Sequence, residues 1–344
     1  MALFGRGTDR APLDGVDVVL ADLDGVVYAG AGALPHAVES LNRARPGRRL
    51  AYITNNASRT DASVAQHLTE LGLQTGASDV VTSPQAAMRL LATRIPAGAT
   101  VLVVGGEGLV VEVEKAGFVV TRSAEDAPAA VVQGFAPEVG WTQLAEAAFA
   151  LALPEDEGGI PWIATNTDWT IPQSRGIAPG NGTLVSAVHT AVGRLATVAG
   201  KPEVPIFDEA VARFEARHPL FLGDRLDTDI LGANRAGIPS ALVLTGIDRP
   251  KHVLAAPAGS QPTFILGDLR ELHEPYPEAR VRDGVVSVRG ACVRIDGPDL
   301  LIVSEGDRPI DLLRAGAKAV WDSGRAIFGF RVPEQLYADP FHRP

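Results

Sequence analysis

The chain has 344 residues, 46% of them hydrophobic and 21% charged, with a formal net charge of −10. That length exceeds one modest core and implies two or three domains, while the acidic balance argues against a nucleic-acid or anionic-membrane surface. Cys292 is the single cysteine, so no intrachain disulfide can form, and no apolar stretch reaches membrane-spanning length. With no signal-peptide core in MALFGRGTDRAP, a soluble protein of a reducing cytoplasm is expected.

Val16, Val18, Val19 and Leu20 form a short apolar run, the pattern of a strand buried on both faces in a parallel sheet. It gives out in Asp22, Leu23, Asp24 and Gly25, at the strand end where open α/β sheets place ligands. Two carboxylates this close repel one another without a cation, which points to Mg²⁺; a solvated turn would give the same spacing. Tyr28 to Leu34 reads as a flap and His36 to Arg43 as a helix. Leu50 to Ile53 is a second strand, ending in Thr54, Asn55, Asn56 and Ser58 ahead of a helix from Ala62 to Leu71. One such residue serves as a helix cap; a cluster of hydroxyl, amide and N–H groups also suits phosphate oxygens.

Val80 to Pro84 reads as a strand leading into a linker, with a helix from Gln85 to Thr93. The stretch beyond it has its own α/β rhythm. Strands are expected at Thr100 to Val104, Phe118 to Val120, Ala129 to Gly134 and Trp162 to Ala164, and helices at Gly108 to Ala116 and Trp141 to Leu153. The glycines Gly105 to Gly108 lack the last glycine of a dinucleotide fingerprint and include Glu107, so they read as a βα turn. Thr165 to Pro172 is a polar loop in which Asn166 and Asp168 could bond a hydroxylated substrate and Trp169 could shape an apolar wall; an Asx-type turn is the plain alternative. Pro179 to Gly182 reads as a second linker, and Leu184 to Leu195 as an amphipathic helix.

Thr197 to Ala199 is a short strand that ends in Gly200, Lys201 and Pro202. A helix from Pro205 to Arg217 follows, then the strand Leu220 to Leu222, which runs directly into GDRLDTDI and a helix from Asp229 to Ala236. Acidic residues favour helix N-termini, so Asp229 suits a cap as well as a metal neighbour. Ser240 to Leu244 is a further strand. Asp22 and Asp24, Thr54 and Asn55, Lys201, and Asp224 and Asp229 thus each fall at the carboxyl end of an expected strand, and parallel strands bring such ends to one edge. Carboxylates, a metal and a lysine suit phosphoryl transfer, which depends on positioning and neutralising charge.

In that order DLDG, TNN, GKP and GDRLDTDI resemble the four motifs of the haloacid dehalogenase superfamily, over roughly Leu13 to Leu269. The long α/β insertion resembles the type IIA (C2) cap of the NagD-like phosphatases, and the short extra C-terminal region is similar to that of actinobacterial glycerol-3-phosphate phosphatases. The resemblance implies a Rossmann-like parallel-sheet core at 12–82 and 183–272, a cap at 83–182 and a small α+β domain at 278–344. It implies Asp22 as nucleophile, Asp24 as general acid/base, Thr54, Asn55 and Lys201 as phosphate-binding groups, and Mg²⁺ held by Asp22, the Asp24 carbonyl and Asp224 with Asp229 in support. Arg225 and Asp227 receive no role.

The expected activity is hydrolysis of a small phosphorylated metabolite, glycerol 3-phosphate first, through an aspartyl-phosphate. Phosphoglycolate, sugar-phosphate and nucleotide phosphatases are alternatives within the family. A phospho-accepting receiver, the alternative of another class, needs neither a second acid two residues on nor a long insertion. His273 to Pro277 reads as a linker, and Val281 to Val288, Ala291 to Ile295, Leu300 to Val303 and Gly324 to Val332 as strands around a helix from Pro309 to Ala319. The resemblance implies a partial acetyltransferase-like fold there, with acetyl transfer or ligand sensing as alternative roles, but this segment has no Gly-rich pyrophosphate loop. A structural or oligomerising role is favoured, and a homodimer is compatible, since the strands leave pairing edges.

Overall fold

The computed structural model describes residues 10–173 and 175–339. Most of the N-terminal stretch judged against a signal peptide, Met1 to Asp9, lies outside them. The chain divides into two compact units, Met1–Leu50 with Leu71–Leu73 and Ala216–Pro344, and Ala51–Glu70 with Gln74–Glu215.

In the first unit, Phe264–Leu266, Ser240–Val243, Pro219–Gly223 and Val18–Ala21 lie side by side in that order, each pair parallel. Val18–Ala21 is buried throughout, as a β-branched run without alternation requires. Ala21 sits opposite Leu222, so Asp22 and Asp224 leave adjacent strands at the same edge. Tyr28–Ala29 and Gly32–Ala33 pair antiparallel, giving the expected flap the form of a small hairpin.

The C-terminal strands form an antiparallel sheet in the order Ala279–Arg282, Val285–Val288, Ala291–Asp296, Asp299–Ser304. The single strand expected over Val281 to Val288 is two, because Asp283 (φ 50°) and Gly284 (φ 74°) make a two-residue hairpin turn. Gly324 to Val332 is not a strand: Ile327–Gly329 is a 3₁₀ turn, and its ladder contact is a lone bridge between Asp299 and Arg331. The helix Pro309–Asp322 covers this sheet, and its Leu313 shares one apolar cluster with Leu242, Val253 and Ile265 of the parallel sheet region. The stretch read as a linker is packed: the Tyr276 hydroxyl accepts from Ile265 N–H (3.0 Å), and the Arg314 guanidinium lies 4.5 Å from the Tyr276 ring centre.

In the second unit, Tyr52, Ile53 and Thr54 of the strand Arg49–Thr54 pair in parallel with Val80–Thr82. A second sheet orders Thr197–Val198, Trp162–Ala164, Ala130–Gln133, Thr100–Val104 and Val119–Thr121, all parallel. Gly105 and Gly106 form the turn between Thr100–Val104 and the helix Glu107–Lys115. Ser83 and Pro84 belong to the helix Ser83–Ala92 rather than to a linker: Thr82 and Gln85 cap each other reciprocally, and proline is tolerated in a first turn. Likewise Thr170–Gln173 and Gly176–Pro179 pair as an antiparallel hairpin, and the helix Asn181–Val192 begins at once after Gly180. Gln173 sits opposite Gly176 at the hairpin's closed end, a glycine with φ 134°, so the expected loop and second linker become one short ribbon.

Candidate active site

In the first unit Asp22, Asp224 and Asp229 are buried, and one carboxylate oxygen from each lies within 4.8 Å of the others. Asp22 N–H donates to Leu222 O at 2.8 Å, prolonging the strand ladder by one residue and aiming the residue out of the sheet. Gly25, at φ 80°, turns the chain; a Cβ there would meet Asp224 Oδ2 at 2.3 Å. Asp24, one residue earlier, is exposed. Asp229 lies in a π-helical turn, Leu226–Ile230, rather than in the regular helix expected from Asp229 on. Its Oδ2 accepts N–H bonds from Asp224 and Arg225, both at 3.1 Å, so the side chain reaches back and holds the strand end. Gly223 permits this: a Cβ would meet Asp229 Cβ at 2.3 Å. Arg225 pairs with Asp227 at 2.8 Å.

The loop Thr245–Asp248, which the sequence reading passed over, belongs to this cluster. Ile247 N–H donates to Asp224 Oδ2 at 2.6 Å, Asp248 N–H to Asp224 O at 3.1 Å and the Thr245 hydroxyl to Gly25 O at 2.7 Å. The signal available was Thr245 and Gly246, a polar residue and a glycine just past a buried strand. The contribution of Ile247 is a backbone amide, and no side-chain pattern announces it.

The second unit gathers most of the remaining expected residues around Asn55. Its Oδ1 accepts from Lys201 N–H (2.8 Å), and its Nδ2 donates to Lys201 O (3.0 Å) and to Asp168 Oδ1 (3.1 Å). The carboxamide thus pairs with the lysine backbone as a neighbouring strand would. Asn55 O accepts from Asn166 Nδ2 (2.8 Å) and Ser83 Oγ (2.7 Å), and Asn181 Nδ2 in turn donates to Asn166 O (2.7 Å). Gly200 must be glycine by contact, since a Cβ would meet Asn55 Oδ1 at 2.6 Å. Thr54 and Lys201 are both buried at 4% exposure, Asp168 is half-buried, and Trp169 is 65% exposed. The Asn55 side chain is therefore a fastener for Lys201 and Asp168, and Ser83 and Asn181 are members of the network that the sequence did not flag.

Three carboxylates with oxygens this close repel one another, and a cation among them would relieve that repulsion. All-oxygen donors suit Mg²⁺ or Ca²⁺, so the donor set fits a hard divalent ion. The carboxylate trio of the first unit, and separately the buried lysine and strand-end hydroxyl of the second, are residue types that metal-assisted phosphoryl-transfer hydrolases use.

The comparisons agree. Residues 19–119 match the family model of haloacid dehalogenase-like hydrolases, and residues 198–272 that of HAD-hydrolase-like proteins. The chain is 44% identical over 320 residues to a D-glycerol 3-phosphate phosphatase of Mycobacterium tuberculosis, covering 90% of this chain and 87% of the relative. It is 36% identical over 268 residues to a glycerol-3-phosphate phosphatase of Gallus gallus, covering 72% and 85%. Among solved structures, a glycerol phosphate phosphatase of Mycobacterium tuberculosis in complex with magnesium superposes with a TM-score of 0.84 at 41% identity, covering 94% of each chain. NagD from E. coli K-12 superposes at 0.65 and 30% identity, over 74% of this chain and 97% of that one. The chain belongs to the haloacid dehalogenase-like hydrolases. Within them it is a phosphatase of the NagD-like type IIA group.

Proposed function

We propose that this phosphatase hydrolyses glycerol 3-phosphate with Mg²⁺, through a phosphorylated Asp22. The observation that carries the reading is the buried trio Asp22, Asp224 and Asp229 with oxygens inside 4.8 Å. The substrate is supported by the two glycerol-3-phosphate phosphatases among the relatives, and by the polar, half-buried Asp168 of the second unit. Mg²⁺ would be held by Asp22, the Asp24 carbonyl and Asp224, with Asp229 fixing Asp224 from behind. When bound, it supplies positive charge for the phosphoryl oxygens.

A carboxylate oxygen of Asp22 attacks phosphorus and the bond from phosphorus to the glycerol oxygen breaks, leaving an acyl phosphate on Asp22. Asp24 gives its proton to the departing alkoxide, then takes one from the water that hydrolyses the acyl phosphate, so one group serves both half-reactions. Its exposure suits exchange of alcohol for water. Lys201, Thr54 and the backbone of Asn55 are assigned to phosphoryl oxygens, the first offsetting charge and the others fixing orientation. Asp168 is assigned to the glycerol hydroxyls and Trp169 to the wall beside them, while Asn166, 3% exposed with Nδ2 on Asn55 O and Oδ1 accepting from Asp168 N–H, is assigned to holding that loop in place of the expected hydroxyl contact.

By role, the chain is divided into core (12–82 and 183–272), cap (83–182) and C-terminal domain (278–344), whereas compactness groups 51–70 with 74–215. Among the described residues no helix is long and apolar enough to cross a membrane. We extend the reading to a cytoplasmic location, supported by the lone Cys292, and to a homodimer, supported by the edge strands Ala279–Arg282 and Asp299–Ser304 of the antiparallel sheet. The test is a panel of phosphate monoesters assayed with Mg²⁺ and again with EDTA, using wild type and Asp22→Asn. Glycerol 3-phosphate should head the panel, EDTA should abolish turnover, and Asp22→Asn should be inactive while still binding Mg²⁺ weakly. Full activity in Asp22→Asn refutes the nucleophile, and a different preferred ester refutes the substrate.

A further inference from the structure

We propose that Asp248 is a positioning residue for the carboxylates Asp224 and Asp229, acting through the backbone of residues 224 to 226. This rests on the metal-site reading above. Asp248 grips that short segment at two points. Its N–H donates to Asp224 O at 3.1 Å, and its Oδ2 accepts from Leu226 N–H at 2.5 Å. Leu226 opens the π-helical turn, so its amide is one of the donors that a helix start leaves without an internal acceptor.

The segment so gripped is the one on which both expected metal ligands depend. Asp229 Oδ2 is anchored by the N–H groups of Asp224 and Arg225, each at 3.1 Å. Asp224 Oδ2 is in turn anchored by Ile247 N–H, the residue before Asp248, at 2.6 Å. A shift of the Leu226 amide acts on the Arg225 and Asp224 amides through the one and two residues between them, less whatever the intervening φ and ψ absorb. The Asp248 side chain is 16% exposed, and its other oxygen lies 3.0 Å from His252 Nδ1, a ring nitrogen that itself accepts from Arg249 N–H at 3.0 Å. Asp248 is absent from the trio of converging carboxylates found among the described residues. Its role is to hold ligands in place rather than to be one.

Removing a hydrogen bond to a charged acceptor from a ligand-bearing turn should weaken ion binding by about tenfold. The experiment is a calorimetric titration of the full chain with Mg²⁺ for wild type, Asp248→Leu and Asp248→Asn, paired with the Mg²⁺ concentration that half-saturates turnover. Asp248→Leu keeps the size and loses the acceptor, and should raise both constants about tenfold. Asp248→Asn keeps an acceptor oxygen for Leu226 N–H and should stay within about threefold of wild type. If Asp248→Leu does not fold, Asp248→Ala takes its place under the same criteria. Wild-type affinity in the acceptor-free variant overturns the proposal, as does equal weakening by Leu and Asn. An absence of saturable Mg²⁺ binding in wild type overturns the metal-site reading itself.

Discussion

Substituting Gly246 by alanine tests the packing of the cation site without touching any ionisable group. A Cβ at this position would meet Asp224 Oδ2 at 1.9 Å and Asp224 Cβ at 2.4 Å. Side-chain carbons essentially never come within 3.0 Å of such atoms, so carboxylate or loop must retreat by more than 1 Å. The carboxylate cannot rotate freely, because Ile247 N–H holds the same oxygen at 2.6 Å and the residue is only 1% exposed. Mg²⁺ demands near-ideal octahedral geometry, and a 1 Å misplacement at a reacting centre costs on the order of 10²-fold in rate. We therefore expect Gly246→Ala to lose about 100-fold in kcat/KM and to raise the half-saturating Mg²⁺ concentration about tenfold or more. Overpacking should also lower stability by about 1–3 kcal/mol. The assay is hydrolysis of para-nitrophenyl phosphate across a Mg²⁺ series, with urea unfolding alongside. Gly76→Ala is the control, since a Cβ there would meet nothing nearer than Ser78 Oγ at 4.0 Å. A Gly246→Ala enzyme with wild-type Mg²⁺ dependence would show that Asp224 has room the structure denies it, and the packing argument would fall.

Asp168→Ala should raise KM for glycerol 3-phosphate more than for para-nitrophenyl phosphate; an equal rise for both would mean that Asp168 acts only by bracing Asn55, which it bonds at 3.1 Å. Arg314 is 5% exposed and its guanidinium bonds Asp311 Oδ1 at 2.8 Å, Glu271 Oε2 at 2.5 Å and Ile265 O at 2.6 Å. Arg314→Met removes one partner each from Asp311 and Glu271, which keep Arg289 (3.0 Å) and Arg308 (2.6 Å), and takes the guanidinium bonds from Ile265 O; urea unfolding should show a loss of about 1–3 kcal/mol, and an unchanged midpoint would contradict this. Burial holds the His273 imidazole below its ordinary pKa of 6.5, with Arg43 and Arg48 adding to the effect against the raising influence of the Ser40 carbonyl. The unfolded chain then takes up the proton first, so this contribution to stability is present above pH 6.5 and is lost as the pH falls toward the folded-state pKa. His273→Gln should flatten the fall in urea midpoint between about pH 7.5 and about pH 5.5, and an unchanged slope would count against it.

The strands and the four polar strand ends could be read from residue types because a buried parallel strand is an uninterrupted apolar run, and a carboxylate, amide or lysine at its end stands out. DLDG, TNN, GKP and GDRLDTDI carried enough to name the chemistry before any coordinate, and the helices Gln85 to Thr93 and Pro309 to Ala319 were found within a few residues of their ends. Turn geometry was harder. Asp283 and Gly284 offered a hairpin signal that apolar residues on both sides hid, and the ribbon Thr170–Gln173 with Gly176–Pro179 carries prolines that argue against strands.

What residue identity determined was the chemistry each group can perform; what tertiary structure decided was which of them spend their hydrogen bonds on one another. Asn55 looked like a phosphate ligand and proves to be bonded to the Lys201 backbone on both sides. Ile247 has a side chain that signals nothing, and its amide donates to Asp224. The π turn that carries Asp229, and the glycines at 223 and 246 that leave room for carboxylates, likewise depend on contacts between segments apart in the chain. Backbone donors and steric room have no side-chain signature, so composition, spacing and periodicity are blind to them until the chain has folded.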